Sequence, residues 1–152
     1  MITVVALGCA AGQLTLAGAE AVDKADKVFV KTALTDTYDY FKNKGIDCVS
    51  LDFIYEQSQD FDELDNTIAQ YILSQQGDVA YCVNGSGYED RSVSLLQAKT
   101  DIKILPSASF ALCGGKAGVA NTLISAYELV ALRGFNYDTR VALCVSDIDN
   151  AY

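Results

Sequence analysis

The 152 residues predict a three-layer α/β domain built on a mostly parallel five-stranded sheet. Two patterns carry this expectation. Short apolar runs rich in β-branched residues, such as Ile2-Thr-Val-Val-Ala-Leu7 and Asp78-Val-Ala-Tyr-Cys-Val83, are hydrophobic at nearly every position, which marks strands covered on both faces. Between such runs, apolar residues recur at steps of three and four. Strands therefore alternate with helices, the order that a parallel sheet with right-handed crossovers requires.

The first strand, Ile2 to Leu7, stops at Gly8, and the small-residue loop Gly8-Cys-Ala-Ala-Gly12 leads into a helix over Leu14 to Ala25, with Leu14, Ala17, Ala21 and Val22 at helical spacing. Lys27-Val-Phe-Val30 is the second strand. A polar stretch then precedes a helix from Asp36 that Gly45 ends in a left-handed cap, and Ile46 to Leu51 supplies the third strand. Asp60 and Glu63 form an acidic N-cap and capping-box pair for the next helix, in which Phe61, Leu64, Ile68, Tyr71 and Ile72 mark one face until Gly77 ends it. Asp60, Asp62, Glu63 and Asp65 also suit the positive end of that helix dipole. Asp78 to Val83 is the fourth strand and runs into Asn84-Gly-Ser-Gly87. A helix around Glu89 to Ala98, a strand Ile102 to Leu105 and the lone proline, Pro106, follow. Further on, Val119, Leu123, Tyr127 and Val130 predict a helix over Val119 to Leu132, and Val141 to Val145 reads as a strand.

This length fits one domain that buries about 70% of its unfolded surface. No histidine occurs, so Ser-His-Asp and Cys-His catalysis, histidine proton shuttles and histidine zinc sites are excluded. Any general base is then Asp, Glu, Lys, Tyr or Cys. The net charge of −9 leaves no cluster of Lys and Arg to track a phosphate backbone, which argues against nucleic acid as a partner. The charge is uneven: no base lies between Lys44 and Arg91, where Asp47, Asp52, Glu56, Asp60, Asp62, Glu63, Asp65, Asp78, Glu89 and Asp90 all fall. That stretch reads as a solvated acidic face with no catalytic pair. Cys9, Cys48, Cys82, Cys113 and Cys144 form no C-x-x-C pair and are odd in number, so neither a disulfide framework nor a metal site is expected, and a reducing, cytoplasmic compartment is. No apolar run approaches the ~20 residues of a membrane span, and the N-terminus lacks the pattern of a signal peptide.

In sheets of this kind ligands bind beyond the carboxyl ends of the strands, at a switch in strand order. Gly8 to Gly12, Asn84 to Gly87 and Pro106 to Phe110 meet that description and define the candidate site. The first loop lacks the G-x-G-x-x-G fingerprint and reads equally as a compact strand-to-helix turn. Asn84-Gly-Ser-Gly87 is more informative, because glycine and asparagine tolerate positive φ and the amides of such a loop can approach a ligand closely; an ordinary turn is its plainer reading. No Walker lysine follows it, which excludes a P-loop.

The opening Val4-Val-Ala-Leu-Gly8, the strand Asp78 to Val83 with its glycine loop, and Ile104-Leu-Pro-Ser-Ala-Ser-Phe110 occur in this order and spacing in one family. Together they resemble the N-terminal domain of the tetrapyrrole (corrin and porphyrin) methylase family over nearly the whole chain. The branch fused to a MazG-type nucleotide pyrophosphohydrolase is the most similar, and its F-D-D-x-Y-E pattern matches the region of Phe53-Ile-Tyr-Glu-Gln57. The resemblance implies the first domain of the tetrapyrrole methylase fold, S-adenosylmethionine bound in a cleft between two α/β domains, and contacts from Gly8, Asn84, Gly85, Ser86 and Ser109, mainly through backbone groups. It also implies a homodimer. The family's opening loop reads about G-x-G-P-G-D, whereas here Gly8 is followed by Cys9, Ala10 and Ala11, with the acid lost. Its V-x-G-[DH]-P loop becomes Gly85, Ser86 and Gly87, and its P-G-x-S becomes Pro106, Ser107, Ala108 and Ser109. An alanine at position 10 at positive φ would cost ~1–2 kcal/mol and reshape the loop.

The resemblance places the first domain at residues 1–138 and the start of a second at 139–152, as in an excised domain or a truncated homologue. A lone first domain holds half a cleft and is expected to be inactive. Absence of histidine suits methyl transfer from a sulfonium, an in-line displacement that positioning and desolvation largely drive. The first functional reading is thus a methyltransferase-family domain taking a small-molecule methyl donor. The alternative, resting on the altered loops, is a non-catalytic module that regulates or assembles a fused or associated nucleotide pyrophosphohydrolase. A flavodoxin-like or other nucleotide-binding α/β domain is a third, which strand order decides.

Overall fold

The computed structural model describes residues 1–109 and, beyond them, the strands at 122–125 and 141–144. The chain divides into two compact units, Met1–Ala108 and Ser109–Tyr152. In the first, strands β1 (Ile2–Ala6), β2 (Lys27–Val30), β3 (Val49–Ser50), β4 (Val79–Val83) and β5 (Ile102–Leu105) form one sheet in the order β3-β2-β4-β1-β5. Every pairing in it is parallel, with Ile2 opposite both Val79 and Ile102, and Lys27 opposite Val79. This order is neither the flavodoxin-like nor the classic dinucleotide-binding one, which removes the flavodoxin-like form of the third reading.

Alternation along the strands feeds two cores. Val4, Phe29, Val79, Tyr81 and Val83 face helices α3 (Asp52–Gln57), α4 (Phe61–Leu73) and α5 (Arg91–Gln97), and pack on Ile54, Leu64, Ile68, Ile72, Val93 and Leu96. Val5, Val28, Val30, Ala80 and Cys82 face α1 (Leu16–Lys24) and α2 (Asp39–Lys44), and meet Val22 and Phe41. The helices sort by direction of travel, as right-handed crossovers require: steps toward the β3 edge carry α1 and α2, and steps back carry α3, α4 and α5. β4 is buried at all five positions, as its unbroken apolar run predicts.

Several elements depart from the sequence reading. The third strand shrinks from Ile46–Leu51 to Val49–Ser50, because only two residues of this edge reach register with Phe29 and Val30. Leu51 and Ile54, both buried, instead anchor α3, a short helix in the acidic stretch that periodicity did not reveal. The first helix starts at Leu16 behind the Thr15 N-cap, whose hydroxyl accepts from the Gly18 amide at 3.1 Å. The chain from Asp36 begins as a single 3-10 turn, Asp36–Tyr38, before α2, and Gly45 caps it at φ 63° as expected. Asp60 caps α4 by accepting from the Glu63 amide at 2.8 Å, but Glu63 reaches back to Gln59 rather than to Asp60. α4 ends at Ser74, not Gly77, and Phe61 is 77% exposed rather than part of the buried face, since it lies in the first turn with no neighbour across it in the core cluster. α5 starts at Arg91 with Asp90 as N-cap, two residues later than expected.

In the second unit, β6 (Thr122–Ser125) and β7 (Val141–Cys144) pair in parallel, with Thr122 opposite Val141. A strand at 122–125 overturns a helix through Val119–Leu132: Thr-Leu-Ile-Ser has strand propensity, and apolar residues four apart are not unique to helices. The rest of that expected helix, and Val145, lie outside the described residues.

One polar cluster lies within the α4/α5 layer. Lys31, the first residue past β2, places Nζ 2.9 Å from Asp65 Oδ1 and 2.9 Å from Asp90 Oδ2, with all three side chains at most 15% exposed. Asp65 is therefore a buried ion-pair partner and not one more exposed acid of the helix dipole. Asp90 also accepts from the Ser92 amide and hydroxyl at 2.9 and 2.6 Å, which leaves Tyr81 to donate to the Ser92 oxygen at 2.8 Å. Burial pulls the Lys31 ammonium down, but the charges and hydrogen bonds of Asp90 and Asp65 outweigh it and hold the pKa above 10.5.

Two stability tests follow. Ile68→Ala, which empties a fully buried site in α4, is expected to cost about 2–5 kcal/mol in urea unfolding. Lys31→Met leaves two buried carboxylates without their cation and is expected to cost about 3–5 kcal/mol at neutral pH. Because the folded pKa of Lys31 is raised, its contribution is fully present below pH 10.5 and is lost as pH rises through the folded value. Wild-type unfolding midpoints should thus fall more steeply at alkaline pH than those of Lys31→Met; parallel curves would refute this assignment.

Candidate functional site

The carboxyl ends of β1, β4 and β5 carry the three loops singled out in the sequence, and hydrogen bonds join them. Gly8 and Gly85 form an isolated antiparallel bridge: the Gly8 amide donates to the Gly85 carbonyl at 3.1 Å, and the Gly85 amide to the Gly8 carbonyl at 2.8 Å. The loop after β5 reaches the first through Ser107, whose hydroxyl donates to the Gln13 carbonyl at 2.7 Å, and through the Cys9 thiol, 3.5 Å from the Ala108 carbonyl. Gly8 and Gly85 sit at φ 77° and 74°, which favours glycine. A Cβ on Gly8 would stand 2.5 Å from Gln13, so this close approach has no room for a side chain.

Four of the five expected contact residues, Gly8, Asn84, Gly85 and Ser86, lie in the first unit; Ser109 belongs to the second. Within the first unit each of the four already has protein partners. The Gly8 and Gly85 amides each donate to the other's carbonyl. The Asn84 side-chain carbonyl accepts from the Thr37 hydroxyl at 2.7 Å, tying β4's loop to the loop after β2. Glu89 Oε2 accepts from the Ser86 amide at 3.1 Å and from the Ser86 hydroxyl at 3.0 Å, and Ser86 is only 8% exposed. In the first loop, Gln13 Oε1 likewise accepts from the Cys9 amide at 2.7 Å. Gln13, Thr37, Glu89 and Ser107 were not singled out by sequence reasoning. Ser86-x-x-Glu89 has capping-box spacing and was the one local signal available.

The departures from the resembled pattern take physical form here. Ala10 does not lie at positive φ, so the strain of a lost glycine is not incurred; Gly8 and Gly12 carry the left-handed positions instead. Gly87 lies at φ 86°, where the proline of the resembled pattern, locked near −65°, cannot stand. The loop after β4 therefore follows a different path from one ending in proline. Next to it, the loop after β2 is held by Asp52, which accepts from the Ala33 amide at 2.9 Å and from the Ser50 hydroxyl. Burial pushes the Asp52 carboxyl up, but hydrogen bonds from Ser50, Thr32 and Ala33 prevail and keep its pKa below 3.8.

A cavity of about 320 Å³ opens beside the first loop, lined by Leu7, Ala10, Leu14 and Ala19 on its apolar side and by Thr37, Tyr40 and Lys44 on its polar side. The donor set tests a cofactor with an anionic end. The Ser86 amide and hydroxyl are both held by one partly exposed carboxylate, so an anionic group fits there once Glu89 moves aside. No group of His, Cys, Asp and Glu among the described residues could hold a metal ion, and no helix among them is long and apolar enough to cross a membrane.

No protein-family model matches the chain, and no curated protein matches it in sequence. Solved structures do match in fold. Diphthine synthase superposes with a TM-score of 0.53 at 20% identity, over 82% of this chain and 54% of that one. A cobalamin biosynthetic enzyme, cobalt precorrin-4 methyltransferase, gives 0.53 at 16% identity, over 82% and 56%. The chain spans about half the length of these structures. At such identity the likeness establishes architecture: the five-stranded all-parallel sheet is that of a tetrapyrrole methylase fold domain.

Proposed function

We propose that this domain forms one wall of an S-adenosylmethionine site in a methyltransferase of the tetrapyrrole methylase type, with Gly8, Asn84, Gly85 and Ser86 along it. The observation that carries the reading is the meeting of the loops after β1, β4 and β5 at the switch in strand order, on a fold shared with a cobalt precorrin-4 methyltransferase. When bound, the cofactor supplies an electrophilic methyl group on a sulfonium. The chain's part is to hold it: Ser86 offers an amide and a hydroxyl to a carboxylate end, and the Gly8–Gly85 bridge ties the loops after β1 and β4 together beneath it. In this reading the domain works in the cytoplasm with a second domain or a second copy completing the cleft, and contacts neither nucleic acid nor membrane.

A second reading, a non-catalytic module that regulates or assembles a nucleotide pyrophosphohydrolase of the MazG type, draws support from one specific feature. The loop amides are already paired within the chain, as in a site that no longer needs a ligand. Calorimetric titration with S-adenosylmethionine and S-adenosylhomocysteine separates the two. Heat of binding below millimolar ligand is the expected outcome; no heat with either compound at millimolar concentration overturns the first reading and favours the second.

A further inference from the structure

Glu89 occupies the donors that the loop after β4 would otherwise present. Its Oε2 takes both the Ser86 amide, at 3.1 Å, and the Ser86 hydroxyl, at 3.0 Å, and the hydroxyl oxygen in turn accepts from the Tyr88 amide at 3.3 Å. A carboxylate bonded by one amide and one hydroxyl is the geometry in which this loop would receive the carboxylate of a small ligand. The loop itself is held at both ends and does not need Glu89 to keep its path. Gly85 is bridged to Gly8, Asn84 is bonded to Thr37, and Asp90 is fixed by Lys31 and Ser92. Glu89 is partly exposed, whereas Ser86 beneath it is buried, so the side chain can swing away without unpacking a core residue.

We propose that Glu89 is a built-in competitor: an internal carboxylate that closes the Ser86 donors and that a carboxylate-bearing ligand must displace. The chemical class follows from the donors. They suit one carboxylate, such as that of the zwitterionic amino-acid end of S-adenosylhomocysteine, and the nearby Asp65 and Asp90 disfavour a polyanion. The choice of that compound rests on the methyl-donor reading; the competition by Glu89 does not.

The test uses the 152-residue chain, as wild type, Glu89→Gln and Glu89→Ala, in two arms. In the first, affinity for S-adenosylhomocysteine is measured by calorimetry. Glu89→Ala is expected to bind about tenfold tighter or more than wild type, the size expected for removing a charge-assisted competitor, with Glu89→Gln between them because its amide oxygen still accepts. Where wild type binds measurably, equal or weaker binding by Glu89→Ala overturns the proposal. In the second arm, acetate is titrated and the Ser86 amide resonance is followed. It should shift saturably in Glu89→Ala and stay still in wild type; a Ser86 amide unmoved by acetate in Glu89→Ala overturns the proposal. Silence toward S-adenosylhomocysteine in all three proteins, with an acetate shift in Glu89→Ala, removes the methyl-donor reading and retains the competitor.

Discussion

β4 follows β2 and β1 in the chain yet lies between them in the sheet, and the carboxyl edge takes its form from that insertion. β1 and β2 both continue toward helices on the α1/α2 face, whereas β4 continues toward α5 on the opposite face. Chains that leave neighbouring strands in opposite directions must part, and a crevice opens between them. Here the parting is bridged at once. Gly8 and Gly85 exchange two hydrogen bonds immediately beyond the ladder, so the crevice has a floor of paired backbone. The bridge is possible because Gly8 has no side chain to place where Gln13 stands and both residues take positive φ.

Loops that turn close over a buried sheet must satisfy their own amides, because an unpaired buried donor costs about 1–3 kcal/mol. Two solutions exist, water or ligand on one side and the chain's own side chains on the other. This domain uses its own side chains at each loop: Gln13 for Cys9, Asp52 for Ala33 and Glu89 for Ser86. Among the described residues, no buried side-chain nitrogen or oxygen lacks a partner. The donors of these loops are therefore already occupied, and a ligand that uses them enters by exchange with an internal acceptor.

What could be read from the sequence was local. The apolar runs of β1 and β4, the Asp60 cap and the Gly45 terminus each depend on residues within a few positions, and each formed as the pattern implied. The loops after β1 and β4 were legible for the same reason, since positive φ leaves a compositional mark, and Pro106 marked the third. Their saturation was not. Thr37 meets Asn84 across 47 positions, and Lys31 meets Asp65 and Asp90 across 34 and 59, distances at which one sequence holds no pairing signal. The acidic stretch shows the limit well: it reads as a uniform solvated face, yet Asp65 and Asp90 turn inward while Asp60 and Asp62 stay out. The same blindness made Phe61 look buried, because helical spacing names a face without saying how far along it the core extends.

The acids that turn inward also decide what this edge can attract. Asp52, Asp65, Glu89 and Asp90 all accept hydrogen bonds at or just behind the loops, against one partly buried cation among the described residues, Lys31. Such an imbalance gives the rim a negative potential, and at the low effective dielectric of a partly buried edge it is felt over several ångströms. A triphosphate would meet repulsion there and would find no lysine-bearing glycine loop to offset it. A ligand that joins one carboxylate to a cationic centre fares better, because the carboxylate can replace that of Glu89 without adding charge while the cation is drawn to the remaining acids. The amino-acid sulfonium end of the proposed methyl donor has that composition.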